Sequence, residues 1–149
     1  MKIYLDNCMF NRPFDDQSHI RIRLETEAKL YIQDKIKAKQ IDLVWSYILE
    51  FENFHNPHEE RKSTIFKWKK SALIDIEESL ELLNHAKICM KLGIKSKDAL
   101  HIASAIVAKA EYFLTTDDKL LSAVNKYKIM KASNPINFIK VLEHDNTNN

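Results

Sequence analysis

The sequence predicts a three-layer α/β/α domain built around a mainly parallel sheet. Short runs rich in β-branched and aromatic residues alternate along the chain with longer segments of helical periodicity. The chain has one glycine and three prolines, which favours helices joined by short connections and excludes a Gly-rich phosphate loop. Right-handed crossovers between parallel strands would bring the carboxyl ends of the strands to one edge of the sheet.

Length and composition indicate a single domain over residues 1–149, with a polar tail at about 144–149 that we expect to fray. Apolar residues make up 45% of the chain and charged residues 30%, which are ordinary values for a soluble protein. The net charge of +2 does not decide whether nucleic acid is a partner. No apolar run is long enough for a signal peptide or membrane span, so we expect a cytoplasmic protein without a membrane partner. Two cysteines, Cys8 and Cys89, suggest neither a metal site nor a disulfide framework.

Five segments have the composition of short strands: residues 2–5, 41–45, 73–76, 112–115 and, at an edge, 128–131. The segment after the first strand contains Pro13 and is predicted to be irregular. A helix is then predicted from near Ser18, with an inner face marked by Ile20, Leu24, Ala28 and Tyr31.

Helix caps can be assigned to small polar residues that precede helical segments. Ser46 is the predicted N-cap of a helix over 47–54, and Ser96 that of a core helix ending near Ala110. Two Asn-Pro pairs, at 56–57 and 134–135, are each predicted to begin a helix, with Asn56 as cap and Pro57 at the first helical position.

A long amphipathic helix is predicted over 77–92, with Gly93 as a left-handed C-cap. Its inner face is marked by Leu80, Leu83, Ile88 and Leu92.

The segment 58–70 carries basic residues around Phe66 and Trp68. It can be interpreted as a solvated face over two core aromatic side chains. It can also be interpreted as a basic rim for a phosphate backbone, with an aromatic ring available to stack on a base.

Acidic residues follow two of the predicted strands, and a third acid stands at the start of the core helix. Asp6 comes after the first strand, Asp117 after the fourth, and Asp98 lies in the first turn of the core helix. Each of the latter two can be explained as a helix-capping acid. In an open α/β sheet, however, ligands bind outside the carboxyl ends of the strands, and these acids would converge there.

A fourth acid would come from the helix after Ser46, which contains Glu50 and Glu52. These two lie about 200° apart around a helix, so they cannot both face one point. Four converging carboxylates repel one another unless cations lie between them, and oxygen-only clusters suit Mg²⁺ or Mn²⁺. The predicted chemistry is phosphodiester hydrolysis.

With these residues the chain resembles PIN-domain proteins, the nuclease fold of many bacterial toxins of toxin-antitoxin pairs. The resemblance rests on four blocks in order: IYLDN at 3–7, SYILEFEN at 46–53, KDALHIASAI at 97–106 and FLTTDD at 113–118. It implies that Asp6, Asp98 and Asp117 take the first, third and fourth acidic positions. The family usually has its second acid six residues after a small hydroxyl residue, and counting from Ser46 selects Glu52, with Glu50 as the rival.

The resemblance further implies a metal-dependent endoribonuclease that uses Mg²⁺ or Mn²⁺, cleaves RNA, often forms a homodimer and can have a cognate antitoxin. Thr115 and Thr116 match small hydroxyl positions that would support Asp117. Asp118 is interpreted as a first-turn acid rather than a ligand.

The chain departs from the common family pattern after Asp6. Where many members have Thr or Ser followed by Asn, this sequence has Asn7-Cys8. Asn7 could hold a metal-bound water, and Cys8 is predicted only to pack. Arg12 is predicted to form an ion pair with Asp15 or Asp16, and could alternatively reach a phosphate. His101 is predicted to be a structural histidine or to orient Asp98.

Two other functions are compatible with parts of this pattern. A catalytically silent module that binds RNA or protein could keep the same fold, although the presence of all four acids argues against it. A phosphoacceptor signalling domain would need an acidic pair after the first strand, which Asp6-Asn7 does not supply.

Overall fold

The computed structural model describes the backbone of residues 1–148 and the side chains of residues 1–145. The strands are β1 (Lys2–Leu5), β2 (Asp42–Ser46), β3 (Ile74–Ile76), β4 (Tyr112–Leu114) and β5 (Ala132–Ser133). The helices are α1 (Asn7–Asn11), α2 (Ile20–Lys37), α3 (Tyr47–Phe54), α4 (Glu59–Phe66), α5 (Trp68–Ser71), α6 (Leu80–Lys91), α7 (Ser96–Val107), α8 (Asp118–Lys126) and α9 (Pro135–Asn148). Among the helices so described, none has the length and apolar character needed to cross a membrane.

The five strands form one sheet in the order β3-β2-β1-β4-β5, and every pairing is parallel, which confirms the predicted parallel sheet. The chain builds outward from β1 to β2 and β3, then crosses back to place β4 on the other side of β1. This reversal creates a switch point at the carboxyl end of β1, which is where open α/β sheets bind ligands.

The alternation of side chains along the strands separates the two helical layers. Tyr4 lies opposite Phe113 in the register and stacks on it at 5.6 Å, and both rings face the layer that contains His101 of α7. Tyr112, which points the other way, contacts Phe138 of α9 at 5.2 Å, and α9 packs on α2. The sheet is therefore covered on both faces, which confirms the predicted three layers.

The segment after β1 is more regular than predicted. Asp6 caps the short helix α1, and a 3-10 turn over Arg12–Phe14 follows, with Pro13 near its start. The last strand is also displaced from the predicted 128–131 to Ala132–Ser133, because Lys128 adopts a left-handed φ of 51° in the turn that ends α8. The polar tail continues as α9 through Asn148, and residue 149 lies outside the described residues.

The inner face predicted for α2 is wrong at three of its four positions, and Ala28 is the one of the four that is buried. Ile20, Leu24 and Tyr31 are 60%, 46% and 39% exposed, whereas the buried positions include Glu25 and Lys29. Hydrophobic periodicity failed here because two charged side chains point inward. Glu25 lies 3.4 Å from both Arg12 Nε and Arg21 Nε, which compensates for burial of its carboxylate.

Lys29 is buried among aromatic side chains. Its Nζ lies 5.5 Å from the Phe10 ring centroid and 5.3 Å from that of Trp68. With the Gln33 amide turned so that its oxygen faces Lys29, that oxygen accepts hydrogen bonds from Lys29 Nζ at 2.5 Å and Trp68 Nε1 at 3.0 Å. Burial, together with the charge of Lys37, lowers the pKa of Lys29 to about 7.

The predicted inner face of α6 is also wrong. Leu80 and Ile88 are 73% and 59% exposed, whereas the buried side chains are Leu82, Ala86 and Cys89. Both stripes are apolar, so the sequence pattern alone could not choose between them. The helix begins after Ser79, whose hydroxyl accepts from Leu82 N, and Gly93 ends it at a φ of 92°, as predicted.

Of the three predicted N-caps, one is found and two are displaced. Ser46 accepts from Leu49 N at 3.2 Å, as predicted. Asn134, at the predicted start of the last helix, accepts from Asn137 N at 2.7 Å. Asn56 instead accepts from His58 N, which makes a turn before α4 begins at Glu59 and leaves Pro57 outside the helix. Ser96 is the first residue of α7 rather than its cap.

The two aromatic side chains of the basic segment have different environments. Trp68 is 7% exposed and belongs to the core, whereas Phe66 is 45% exposed. The interpretation as two core aromatic side chains therefore holds for Trp68 alone, and Trp68 is too buried to stack on a base.

Candidate active site

Three strand ends and the start of α7 bring polar side chains to the switch point of the sheet. Asp6 follows β1, Thr115 follows β4, and Ser46 ends β2 and caps α3, which carries Glu52. Asp6 N donates to Leu114 O at 2.9 Å, which fixes the β1 end beside the β4 end. The residues predicted from distant parts of the sequence thus lie on adjacent elements.

Asp6 is 6% exposed and its carboxylate is held by hydrogen bonds. Oδ1 accepts from Asn7 N at 2.8 Å, and Oδ2 accepts from Thr115 Oγ1 at 2.8 Å and from Cys8 Sγ at 3.4 Å. Thr115 was expected to support Asp117, and it does so through the backbone, since its Oγ1 accepts from Asp117 N at 3.0 Å. Thr115 therefore joins two of the four acids.

Glu52, rather than Glu50, faces the other acids. Glu52 Oε2 accepts from Asn7 Nδ2 at 3.0 Å and Oε1 accepts from His101 Nε2 at 2.5 Å. Burial acts to raise the pKa of Glu52, but the hydrogen bond and charge of His101 hold it below its ordinary value. Glu50 is paired with Lys69 at 2.6 Å, away from this site.

His101 is fully enclosed and connects Glu52 to a chain of hydroxyl groups. Its Nδ1 lies 2.6 Å from Tyr4 Oη, which lies 2.6 Å from Ser46 Oγ. His101 Nε2 also lies 3.9 Å from Asp6 Oδ1. Burial lowers the pKa of His101, yet the Glu52 hydrogen bond and the charge of Asp6 raise it above its ordinary value overall. His101 thus orients Glu52 and not Asp98, contrary to one of the two predictions.

Asp98 lies half-buried in the first turn of α7. Within the described part of the chain, no group donates a hydrogen bond to its carboxylate. Burial raises the pKa of Asp98 first, and the negative charges of Asp6, Asp117 and Glu52 raise it further. Asp98 therefore lies within electrostatic range of each of the other three predicted acids.

Asp117 is exposed and caps α8. Its Oδ1 accepts from Lys119 N at 3.0 Å and Leu120 N at 3.1 Å. Asp117 and Asp98 line one depression of about 110 Å³, together with Lys95 and Lys119. Asp118 is bound by Arg21 through two contacts of 2.6 Å, in agreement with its interpretation as an acid outside the site.

The donor set fits a hard divalent cation. Its oxygens come from carboxylates, and Asp98 is a half-buried carboxylate near three others with no hydrogen-bond donor of its own in the described residues. As the side chains stand in residues 1–145, no three of His, Cys, Asp or Glu form a cluster ready to hold a metal ion. Ligation would therefore require rotation of these side chains toward one point.

Asn7 and Cys8, which follow Asp6, form contacts that the sequence did not predict. Cys8 Sγ lies 3.4 Å from Thr115 Oγ1 and accepts from Thr116 N at 3.4 Å, and burial beside Asp6 raises the pKa of Cys8 to about 12. Asn7 Nδ2 donates a hydrogen bond to Glu52 Oε2 at 3.0 Å, a contact that the sequence did not indicate.

Arg12 forms the predicted ion pair with Asp15 at 3.2 Å, and not with Asp16. Its Nη2 also donates to Thr116 Oγ1 at 2.7 Å. Arg12 therefore connects the turn after α1 to the segment that carries Asp117.

The comparisons with known proteins agree with this fold. No family model matches the sequence, and no curated protein sequence matches it. Solved structures do match: VapBC2 from Rickettsia felis bound to a DNA fragment from its promoter has a TM-score of 0.59 at 14% identity, covering 90% of this chain and 98% of that one. VapBC-1 from nontypeable Haemophilus influenzae has a TM-score of 0.52 at 17% identity, covering 91% and 98%. Because the VapC component of such complexes is a PIN-domain protein, the chain described here has a PIN-like fold.

Proposed function

We propose that this protein is a metal-dependent endoribonuclease with Asp6, Glu52, Asp98 and Asp117 at its reacting centre. The observation that carries the proposal is the electrostatic coupling of these four carboxylates at the switch point of the sheet. An assembly of like charges raises the free energy of the folded state, so its presence at a ligand-binding edge points to a cationic ligand.

Each acid has a distinct part in holding that ligand. Asp6 is fixed by Thr115 and Asn7, so its position does not depend on the ligand. Asp98 has no competing hydrogen bond in the described residues and is free to turn toward a cation. When bound, Mg²⁺ or Mn²⁺ would supply Lewis-acid stabilisation of charge on the phosphodiester oxygens.

Glu52 would orient the attacking water or bind the cation. His101 donates to Glu52 from a ring that Tyr4 and Ser46 hold from behind. Because Tyr4, Ser46 and His101 are buried, the His101 ring cannot rotate freely, and its hydrogen bond restricts the orientation of the Glu52 carboxylate.

Cleavage of a labelled single-stranded RNA by the purified full chain tests the proposal. We expect cleavage with Mg²⁺ or Mn²⁺ and none after EDTA treatment. Asp118→Asn is the matched control, because Asp118 is adjacent to Asp117 but paired with Arg21, and it should cleave at the wild-type rate. RNA that binds but stays intact at every metal concentration would instead favour the catalytically silent binding module.

We further propose a protein antitoxin and a homodimer. The matched structures are VapBC complexes, which supports an antitoxin partner. Phe51 and Phe54 are 50% and 68% exposed on α3, and Leu80 and Ile88 are similarly exposed on α6. These two apolar surfaces are available for contacts with an antitoxin and with a second copy of the chain.

Growth arrest on expression that no neighbouring gene relieves would contradict the proposed antitoxin partner. A monomer mass by light scattering at all concentrations would contradict the homodimer.

A further inference from the structure

Two adjoining depressions lie at the edge of the sheet opposite to the four acids. Their volumes are about 480 and 330 Å³, and they share Lys37 and Ser71. The larger one contains Asp42, the first residue of β2, and Leu73, which precedes β3. The larger depression is therefore at the amino ends of the strands, and the smaller one adjoins it between helices, whereas the acids are at the carboxyl ends.

Four lysines line these two depressions: Lys37, Lys39, Lys67 and Lys70. We call the two depressions together the lysine depression. All four are exposed, and none has an ion-pair partner within the described part of the chain. The neighbouring Lys69 differs, because it is paired with Glu50 and Asp75. Asp42 is the acid that lines the larger depression, so positive charge predominates there.

The excess of positive charge extends into the core. Lys37 Nζ and Lys29 Nζ each lie 5.3 Å from the Trp68 ring. The charge of Lys37 adds to burial in lowering the pKa of Lys29. The four lysines of this region thus face a single lining carboxylate, that of Asp42, and a bound anion would relieve the repulsion between the cations.

We propose that the lysine depression binds the phosphate backbone of an RNA strand whose scissile bond lies at the acidic site. The choice of RNA rests on the proposed function, whereas the anion site itself rests on the lysines. Trp68 is too buried to stack on bases, so recognition is through phosphates and independent of sequence.

The position of the lysine depression determines which RNAs can use it. Strand β2 has five residues, so at about 3.3 Å per residue the two sites are separated by roughly 17 Å along the sheet. An RNA of a few nucleotides at the acidic site does not reach the lysines. The lysine depression therefore strengthens the binding of long RNA and leaves the chemical step unchanged.

The test combines a triple variant with a control of equal charge. K37Q/K39Q/K70Q removes three of the four positive charges of the lysine depression, and K87Q/K91Q/K140Q neutralises three exposed lysines that do not line it. Both are made in full-length Asp98→Asn protein, so that RNA stays intact, and binding of a 30-nucleotide RNA is measured by anisotropy at several salt concentrations. Thermal unfolding of both variants verifies that they fold.

We expect the depression variant to lower the slope of log K against log salt by about 2, since each lost phosphate contact on a single strand contributes about 0.7. Its affinity at 0.1 M salt should fall about 10-fold to 100-fold. In the Asp98-containing enzyme, KM for long RNA should rise with kcat unchanged, and cleavage of a tetranucleotide should not change.

Equal slopes for the two triple variants would overturn the proposal. So would binding of vesicles containing anionic lipid that depends on Lys37 when RNA binding does not. Absence of cleavage by the wild type, with the slope difference intact, would contradict the proposed nuclease and leave the anion site standing.

Discussion

Asp98→Asn is expected to lower RNA cleavage on the order of 10²-fold to 10³-fold or more, because it removes charge directed at the reacting centre. The same substitution should raise the melting temperature of the metal-free protein. The carboxylate of Asp98 is half-buried near Asp6, Asp117 and Glu52, and neutralising it removes both a desolvation cost and a repulsion. Lost activity together with gained stability distinguishes a functional acid from a structural one.

Calorimetry in EDTA and a cleavage assay in Mg²⁺ measure the two effects of Asp98→Asn. The raised pKa of Asp98 means that its charge destabilises the folded protein above the folded-state pKa. The stability gained by the variant should therefore be full at neutral pH and disappear as the pH falls below the ordinary value of 3.8. A variant that is less stable than the wild type and equally active would contradict the assignment.

Glu52→Gln should lower cleavage on the order of 10²-fold, whereas Glu50→Gln should leave it near the wild-type rate. Glutamine at position 52 keeps an oxygen that accepts from His101 but loses the negative charge beside Asp6. Glutamine at position 50 weakens an ion pair with Lys69 that is partly exposed to solvent, and such surface pairs contribute little to stability.

Single-turnover cleavage rates of the two glutamine variants, with circular dichroism to verify folding, measure this difference. The pair is well matched because both positions lie on α3 and undergo the same change. Loss of activity in Glu50→Gln with retention in Glu52→Gln would reverse the assignment of the second acid.

The strands could be predicted from sequence because each is a short apolar run between polar segments. The displacement of the last strand was missed because the left-handed turn at Lys128 occurs at a residue other than glycine or asparagine. The parallel pairing follows from the alternation of strands and helices, whereas the order of the strands in the sheet was not predicted.

The faces of α2 and α6 could not be predicted from hydrophobicity. Burial of Glu25 and Lys29 depends on partners that are distant in the chain, such as Arg12 and Trp68. Tertiary pairing of this kind leaves no local pattern.

Asp6, Asp98 and Asp117 could be proposed from sequence because each stands after a strand or at a helix start. Glu52 lies within α3 and was proposed instead from its spacing to Ser46 in the family pattern. The hydrogen-bonded chain through Tyr4, His101 and Glu52 was not predicted. One signal was present: a tyrosine within a buried strand needs a partner for its hydroxyl group. The identity of that partner depends on how α7 packs against the sheet.

The enclosure of Lys29 makes folding a proton-linked reaction. Its ammonium group has an ordinary pKa of 10.5 in the unfolded chain and a pKa of about 7 in the native state. Between these values unfolding takes up a proton at this residue, so its contribution makes the protein more resistant to denaturation as the medium becomes more alkaline. Acidification below neutrality removes that linkage by charging Lys29 in both states, and leaves a cation between two aromatic rings.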